Sequence, residues 1–148
     1  MIAVGRLPAG PLKALEQLYA ERITWPLAIR EVAERRKLPG PELVEREGAL
    51  LLAALPRDGV AVALDARGSE LTSEGLAARL AAWRDGGAGD IAFLIGGADG
   101  LSAAVRRRAQ LVLALGRMTW PHFLARGMLL EQLYRAQQIL AGHPYHRA

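Results

Sequence analysis

Three glycine-containing segments, each directly after a short apolar run, are the first candidates for chemistry in this 148-residue chain. They cover residues 65–68, 96–100 and 116–121 and read Asp-Ala-Arg-Gly, Gly-Gly-Ala-Asp-Gly and Gly-Arg-Met-Thr-Trp-Pro. Glycine leaves backbone amides and carbonyls open to a ligand because no side chain stands in the way. In parallel α/β sheets, ligands bind at the carboxyl ends of strands. The segments are therefore candidate ligand loops, although an ordinary tight turn is the simpler interpretation of any one of them alone.

Several common kinds of site are disfavoured by what the sequence lacks. The glycines of 96–100 do not have the spacing of a dinucleotide fingerprint, and no Lys-Ser/Thr of a phosphate-binding loop is present. There is no cysteine, which excludes disulfides and thiolate zinc sites. No metal site is expected, because no carboxylate stands at ligand spacing from His122, His143 or His146. What remains favours a bound cofactor that already carries an activated group.

Alternating strands and helices are predicted to position these segments. Apolar runs predict strands at 2–5, 27–33, 60–64, 91–95 and 111–115. Helical spacing and capping residues predict helices at 11–22 and 42–55, one capped by Thr72 or Ser73, one from Ser102 to about Arg108, and one over 122–141. This alternation predicts an α/β fold with a largely parallel sheet. The length favours a single domain over residues 1–148.

Composition adds weaker constraints. Hydrophobic residues make up 51% of the chain, which is enough for a buried core. The net charge of +4 gives a mild bias toward polyanions, and Arg106-Arg107-Arg108 is a local basic cluster for which a solvated helix face is the simpler interpretation. No signal peptide is visible, and no apolar run approaches the ~18 residues of a membrane helix. We expect a cytoplasmic protein that uses neither membrane nor metal.

Five motifs, in order, resemble one known family. They are Leu64-Asp65 with Gly68, Phe93-Leu-Ile-Gly-Gly-x-x-Gly-Leu-Ser102, Met118-Thr119-x-x-His122, Glu131-Gln-x-Tyr-Arg-Ala136, and His143-Pro-Tyr-His-Arg147. Together they resemble the bacterial large-subunit rRNA pseudouridine N3-methyltransferases, which are SPOUT proteins. The resemblance covers residues 2–147. The departures are Ser69 after Gly68, where the family usually has Lys, and Gly116, where it often has Ser.

The resemblance implies a fold, a cofactor and an assembly. It implies a single-domain SPOUT fold: a parallel sheet with helices on both faces and a C-terminal trefoil knot, working as a homodimer. It also implies that S-adenosylmethionine lies in the three loops. The expected cofactor contacts are Leu64, Gly96, Gly97, Gly116, Arg117, Met118, Thr119, Trp120 and Pro121. We expect Gly97→Val to abolish cofactor binding while the protein still folds.

The implied substrate is a pseudouridine in 23S rRNA, within an assembled ribosome. Its N3 is a weakly acidic imide that needs to lose a proton before it attacks, so a base should help. His146 suits that role by its ordinary pKa of ~6.5, while Tyr145 could stack on a base and Arg147 could hold a phosphate or carbonyl. Without the resemblance, these three residues would be interpreted as a frayed polar tail.

Two arginines and one apolar helix face complete the expectations. Arg126 and Arg135 are expected to bind RNA, although Arg135 could equally form an intrahelical ion pair with Glu131. On the last helix, a wide apolar surface predicts a second copy of the chain as its partner, with the tail of one subunit completing the cofactor pocket of the other. That surface comprises Leu129, Leu133, Ala136 and Leu140, with Leu130 and Tyr134 beside them.

Two alternative functions stay open at this point. A catalytically silent RNA-binding or ribosome-assembly module of the same fold would share the motifs but would not bind the cofactor. A small nucleotide-binding α/β protein acting on metabolites would need a phosphate-binding glycine fingerprint, which the sequence lacks.

Overall fold

Five parallel strands form one sheet in the computed structural model, which describes residues 1–147, with the side chains of His146 and Arg147 left out. The strands, in chain order, are β1 (Ile2–Val4), β2 (Arg30–Val32), β3 (Val60–Glu70), β4 (Ile91–Ile95) and β5 (Leu111–Ala114). Their order across the sheet is β2-β1-β4-β3-β5, and every neighbouring pair is parallel. All carboxyl ends therefore lie at one edge of the sheet, here called the carboxyl edge.

Helices connect the strands. They are α1 (Pro11–Arg22), α2 (Gly40–Ala53), α3 (Ser73–Asp85), α4 (Ala103–Arg108) and α5 (His122–Leu140), followed by a 3₁₀ turn over Pro144–Arg147. Two caps explain where helices begin. Thr72 Oγ1 accepts a hydrogen bond from Gly75 N at 3.0 Å, and Ser102 Oγ accepts one from Val105 N at 3.3 Å. Of the two residues predicted as caps for α3, Thr72 is the one that forms the bond.

The sheet separates two hydrophobic cores because side chains alternate along each strand. One face contributes Ala3, Val62, Phe93, Ile95 and Leu113, which pack against α3 and α5. The other contributes residues such as Val4, Ala63 and Leu94, which pack against Leu51 of α2 and Val105 of α4. The predicted α/β class, with a parallel sheet and helices on both faces, is confirmed.

Strand β3 is longer than predicted because the chain leaves the sheet and returns to it. Leu64 and Ser69 both pair with Leu113 of β5, so residues 65–68 form an excursion between them. A side chain at Gly68 would not fit there, since its Cβ would lie 2.5 Å from the carbonyl oxygen of Val112. The polar segment predicted as a simple loop is therefore held tightly against β5. The trefoil knot is a matter of threading that strand order does not establish, and it stays a prediction.

Helix α5 is covered on several sides by its own chain. Leu129, Leu130 and Ala136 are all fully buried in the core of one subunit, and Tyr134 packs against Tyr19 of α1 with ring centroids 6.3 Å apart. The same chain thus already buries most of the wide apolar surface from which a second copy was predicted. A dimer needs support from other observations.

Candidate functional site

The three predicted ligand loops begin side by side at the carboxyl edge. Leu64 of β3 pairs with Ile95 of β4 on one side and with Leu113 of β5 on the other. Because neighbouring strands lie about 4.8 Å apart, the loops after them start within about 10 Å of one another. The sequence placed these segments after three separate apolar runs, and the strand order makes them neighbours.

The loop after β5 leaves open space and is closed by a hydrogen bond. Gly116 has φ 103°, a conformation that favours glycine, and no atom would lie within 4 Å of a Cβ there. Trp120 Nε1 donates to the carbonyl of Leu115 at 3.1 Å, which joins the two ends of the loop. Met118, between them, is 65% exposed. The loop thus has a fixed base and an accessible middle.

The loop after β4 is a tight turn with two packing constraints. Gly100 N donates to the carbonyl of Gly97 at 3.1 Å, and a Cβ on Gly96 would lie 2.5 Å from the carbonyl oxygen of Gly100. A Cβ on Gly97 would lie 2.7 Å from Glu47 Oε2 and 3.2 Å from Val4 Cγ1. Both neighbours are side-chain atoms, so a Cβ at this position requires the flexible Glu47 carboxylate to move aside and the Val4 methyl group to shift slightly. The expectation that Gly97→Val folds and loses cofactor binding stays a prediction.

Glu47, which the sequence did not single out, lies beside this loop. Burial raises the pKa of its carboxyl group, and the negative charge of Asp99 raises it further. The sequence gives no signal for Glu47, because it lies in an ordinary helix and comes close to Gly97 only when the sheet has folded.

The loop after β3 is held by arginines. Asp65 accepts hydrogen bonds from Arg67 Nε and Nη2, both at 3.0 Å, and from Arg106 Nη1 at 3.3 Å. The hydrogen bonds from Arg67 lower the pKa of Asp65, against the opposing effect of burial. Arg106 also donates to the carbonyl of Leu101. In the triple-arginine run, which was interpreted as a solvated helix face, Arg106 therefore has a structural role because it connects α4 to the β3 loop.

A cavity of about 570 Å³ extends from the β5 loop along α5. Leu115 and Gly116 line it near the loop, while Tyr19 of α1 and Glu131 of α5 line it farther along. Its size lies within the range of small-molecule pockets. Among the predicted cofactor contacts in the described chain, Gly116 lines this cavity, whereas Leu64, Gly96 and Gly97 lie outside its lining.

A second cavity, of about 830 Å³, lies at the opposite edge of the sheet. Met1, Arg30 and Ile91, at the amino ends of three strands, line it together with Leu140 near the end of α5. None of the predicted site residues that the structure describes contributes to it. It does show that α5 runs from the carboxyl edge to the amino edge.

At Tyr145 the tail packs against the rest of the chain, in contrast to a frayed end. Its ring packs edge-on against Tyr134 at 4.7 Å, the Arg135 guanidinium lies 5.0 Å from its centroid, and its hydroxyl lies 3.4 Å from Glu131 Oε1. Burial, followed by a hydrogen bond with Tyr19, raises the pKa of Tyr145 to about 12. The side chains of His146 and Arg147 lie outside the described residues.

The two arginines expected to bind RNA have partners within the chain. Arg126 is 0% exposed and donates to the carbonyls of Val4 at 2.8 Å and Gly5 at 2.5 Å, and to Glu31 Oε1 at 2.8 Å. A phosphate could reach it only if these segments separated, so the structure argues against contact with RNA. Arg135 forms the intrahelical ion pair with Glu131 at 2.7 Å that was the alternative.

The described residues were also predicted to contain neither a metal site nor a membrane helix. In that part of the chain no three His, Cys, Asp or Glu side chains group as metal ligands. No helix within it has the length and apolar character to cross a bilayer.

A parallel sheet with helices on both faces and three glycine-containing loops on adjacent carboxyl ends defines an α/β protein, a class in which ligands bind at this edge. Comparison with known proteins gives the particular family. The model described as "Predicted SPOUT methyltransferase" matches residues 1–146. The chain therefore belongs to the SPOUT methyltransferase family, as the motifs indicated.

Individual relatives of similar length support the same family. A Rhodospirillum centenum protein named "Ribosomal RNA large subunit methyltransferase H" is 59% identical over 148 residues, covering 100% of this chain and 97% of that protein. Proteins with the same name from Paramagnetospirillum magneticum and Bradyrhizobium diazoefficiens are 54% and 49% identical. They cover 98% and 100% of this chain and 95% and 98% of their own lengths.

Proposed function

We propose that the protein transfers the methyl group of S-adenosylmethionine to N3 of a pseudouridine in 23S rRNA of the large ribosomal subunit. The observation that carries the proposal is the register that sets Leu64 between Ile95 and Leu113, since it brings the three motif-bearing loops to one edge. The name that these relatives share, at 49–59% identity over nearly their whole length, supports the substrate class.

The loops have the properties that a cofactor of this size and chemistry needs. Half-buried Leu64 offers an apolar contact for the adenine, and Gly116 leaves open space beside accessible backbone groups. Trp120 fixes the β5 loop before a ligand arrives, which reduces the entropy lost on binding. When bound, S-adenosylmethionine supplies a methyl group made electrophilic by the sulfonium. The protein then mainly has to position the acceptor.

The tail supplies the acid–base chemistry in this proposal. With a pKa of about 12, Tyr145 stays protonated at neutral pH and can donate a hydrogen bond but not remove a proton. That leaves His146 as the base for the N3 proton, because its ordinary pKa of ~6.5 lies near neutral. Arg147 would then stabilise the resulting anion or hold a phosphate.

We further propose a homodimer in which the tail of one subunit serves the loops of the other. Helix α5 has 19 residues and therefore spans about 28 Å. It begins next to the β5 loop and ends at the amino edge, where the tail departs. The chain's own Tyr145 returns to Glu131, midway along α5, which lines the same cavity as Gly116, so a site within one chain is the alternative. Exposed Leu18 of α1 and Leu140 of α5 offer apolar surface to a second copy.

Cofactor binding can be tested with matched tryptophan variants. Trp120→Phe keeps an aromatic ring but removes the hydrogen bond to Leu115. We expect calorimetry to show about fivefold weaker binding of S-adenosylmethionine, since one such bond is worth about 1 kcal/mol. Trp83→Phe on α3, which lies outside these loops, is the control and should bind as the unchanged protein does. Absence of any cofactor binding by the unchanged protein would favour the catalytically silent module.

The substrate can be tested on ribosomes from cells that lack the protein. We expect the purified enzyme to methylate assembled ribosomes and to act poorly on a deproteinised rRNA fragment. Mass spectrometry of nuclease digests should locate one added methyl group on a pseudouridine of 23S rRNA. Methylation elsewhere, or equal rates on the free fragment, would refute the corresponding part of the proposal.

A further inference from the structure

A basic turn borders the carboxyl edge next to the β4 loop. It comprises residues 34–37, Glu-Arg-Arg-Lys, and follows the carboxyl end of β2 directly. The chain then reaches Gly40, where a Cβ would lie 3.6 Å from Asp99 Oδ2 of the β4 loop. Two residues, Leu38 and Pro39, therefore separate the basic turn from a position that lies beside one of the three loops that form the proposed cofactor site.

The turn is held in shape by its own carboxylate. Glu34 Oε1 accepts hydrogen bonds from the backbone amides of Arg35 and Arg36, both at 2.9 Å, and Glu34 Oε2 accepts one from Arg46 Nε at 2.9 Å. Hydrogen bonds from Arg36 and Arg46 lower the pKa of Glu34 to about 2, so it stays charged. The acidic group of the turn is thus already engaged by two arginines.

Arg35 and Lys37 remain as available cations. Both are exposed, and within the described residues neither forms an ion pair. Of the exposed arginines in the other loops at this edge, Arg6 after β1 forms no ion pair within the described residues, whereas Arg67 is paired with Asp65 and Arg117 with Glu70. Parallel strands place these positive charges around one edge, which suits an extended polyanion.

We propose that the basic turn binds the phosphate backbone of the rRNA substrate next to the methylated nucleotide, with Arg35 and Lys37 making the contacts. This inference rests on the proposed function, and it assigns RNA binding to a segment other than α5. Phosphate contacts position a substrate without reading its sequence. The turn would therefore affect how tightly the ribosome binds and not the transfer step itself.

The test compares two double variants of equal charge. Arg35→Gln/Lys37→Gln removes the proposed contacts. Arg57→Gln/Arg107→Gln removes two exposed cations away from the carboxyl edge, before β3 and on α4. For each, kcat and KM for large subunits are measured from 50 to 200 mM KCl, with S-adenosylmethionine affinity and thermal unfolding as checks.

We expect Arg35→Gln/Lys37→Gln to raise KM by about tenfold at 100 mM salt and to reduce the slope of log KM against log salt by about 1–2. Its kcat and cofactor affinity should stay as in the unchanged protein, and the control should change KM less than twofold. An unchanged KM, or an equal rise in both double variants, would overturn the proposal.

A third variant separates positioned cations from total charge. Glu34→Leu makes the protein more positive and removes the side-chain oxygen that accepts from both backbone amides and shapes the turn, whereas Gln would keep such an oxygen. We expect KM to rise despite the added positive charge, whereas a fall would show that net charge alone matters. If the unchanged protein methylates no rRNA, the proposed function fails. Sedimentation of the variants with large subunits then decides the inference by itself, with weaker binding expected for the double variant at the turn.

Discussion

At the residue scale, the role of Arg126 could not be predicted from its residue type. In the sequence it is one of several arginines in a basic C-terminal third, so contact with RNA was expected. In the structure its planar guanidinium donates to two backbone carbonyls and to Glu31, 95 residues away in the chain. No local pattern could reveal these partners, because they come from the end of β1 and from β2. The cluster joins α5 to the loop after β1.

Replacing Arg126 should therefore cost stability. Arg126→Met leaves the carbonyls of Val4 and Gly5 without their donor and removes the positive charge 3.8 Å from Glu16, which is 1% exposed. We expect a loss of about 3–5 kcal/mol in the free energy of unfolding. Urea unfolding followed by circular dichroism gives the value. Arg107→Met on α4, at an exposed position, should change it by less than about 0.5 kcal/mol. Equal effects of the two variants would contradict a structural role for Arg126.

The same cluster predicts a pH dependence. Burial alone would raise the pKa of Glu31, but the hydrogen bond from Leu7 and the charge of Arg126 outweigh it and hold the pKa below its ordinary 4.5. A folded-state pKa below the unfolded value stabilises the protein above about pH 4.5, and this contribution disappears as the pH falls through the folded value.

Glu31→Gln should accordingly be less stable than the unchanged protein at pH 7, and the difference should shrink toward pH 3. Chemical unfolding at the two pH values measures it. Glu21→Gln, at an exposed position on α1, serves as the control and should show no such convergence. A difference for Glu31→Gln that stays constant with pH would argue against this coupling.

At the scale of elements, the sequence predicted best where one signal dominates. The continuously apolar run of β4 and the Pro-initiated α1 have the predicted bounds, because burial on both faces and helical spacing each leave a clear pattern. The edge strand β2 is shorter than predicted, at Arg30–Val32, since an edge strand is only partly buried and its pattern is weak. The return of β3 to β5 was missed because residues 65–70 are polar and pair through their backbone.

A substitution at Gly68 tests whether the return of β3 to β5 requires glycine. Gly68→Ala would place a methyl group 2.5 Å from the backbone oxygen of Val112, which cannot move without disturbing β5. We expect a loss of about 1–3 kcal/mol, typical of overpacking, measured as a lower Tm. Gly89→Ala is the control, because nothing lies within 4 Å of its Cβ position. If both variants unfold at the same temperature, the excursion does not need glycine at this position.

At the scale of the whole molecule, the strand order explains why the three predicted ligand loops lie together, which no single motif could predict. The sequence predicted three ligand loops, and a parallel sheet with β3 between β4 and β5 makes them neighbours. The geometry of the tail could not be predicted in the same way, because its position depends on where α5 ends. That end lies at the amino edge, far from the loops of the same chain. Tyr145, however, folds back to Glu131 and Tyr19, which line the same cavity as Gly116. The shared site is therefore a prediction whose alternative is a site completed by the tail of the same chain.

Mixing two defective chains tests the shared site. Gly116→Val introduces a side chain into the open space of the β5 loop, and its positive φ adds strain confined to that loop. A chain that ends after Pro144 lacks Tyr145, His146 and Arg147. Each variant alone should be folded and inactive. In a mixed dimer with shared sites, one site combines an intact pocket with an intact tail.

With random pairing, half of the dimers are mixed and each has one working site of two, so activity should return to about a quarter of the unchanged level. Methyl transfer to ribosomes measures it, and native mass spectrometry confirms that mixed dimers are present. If pocket and tail of the same chain act together, each mixed dimer contains only incomplete sites and activity stays at the level of the separate variants. Recovery would place the tail across the subunit boundary, and it would make the dimer a requirement of the chemistry and not of stability alone.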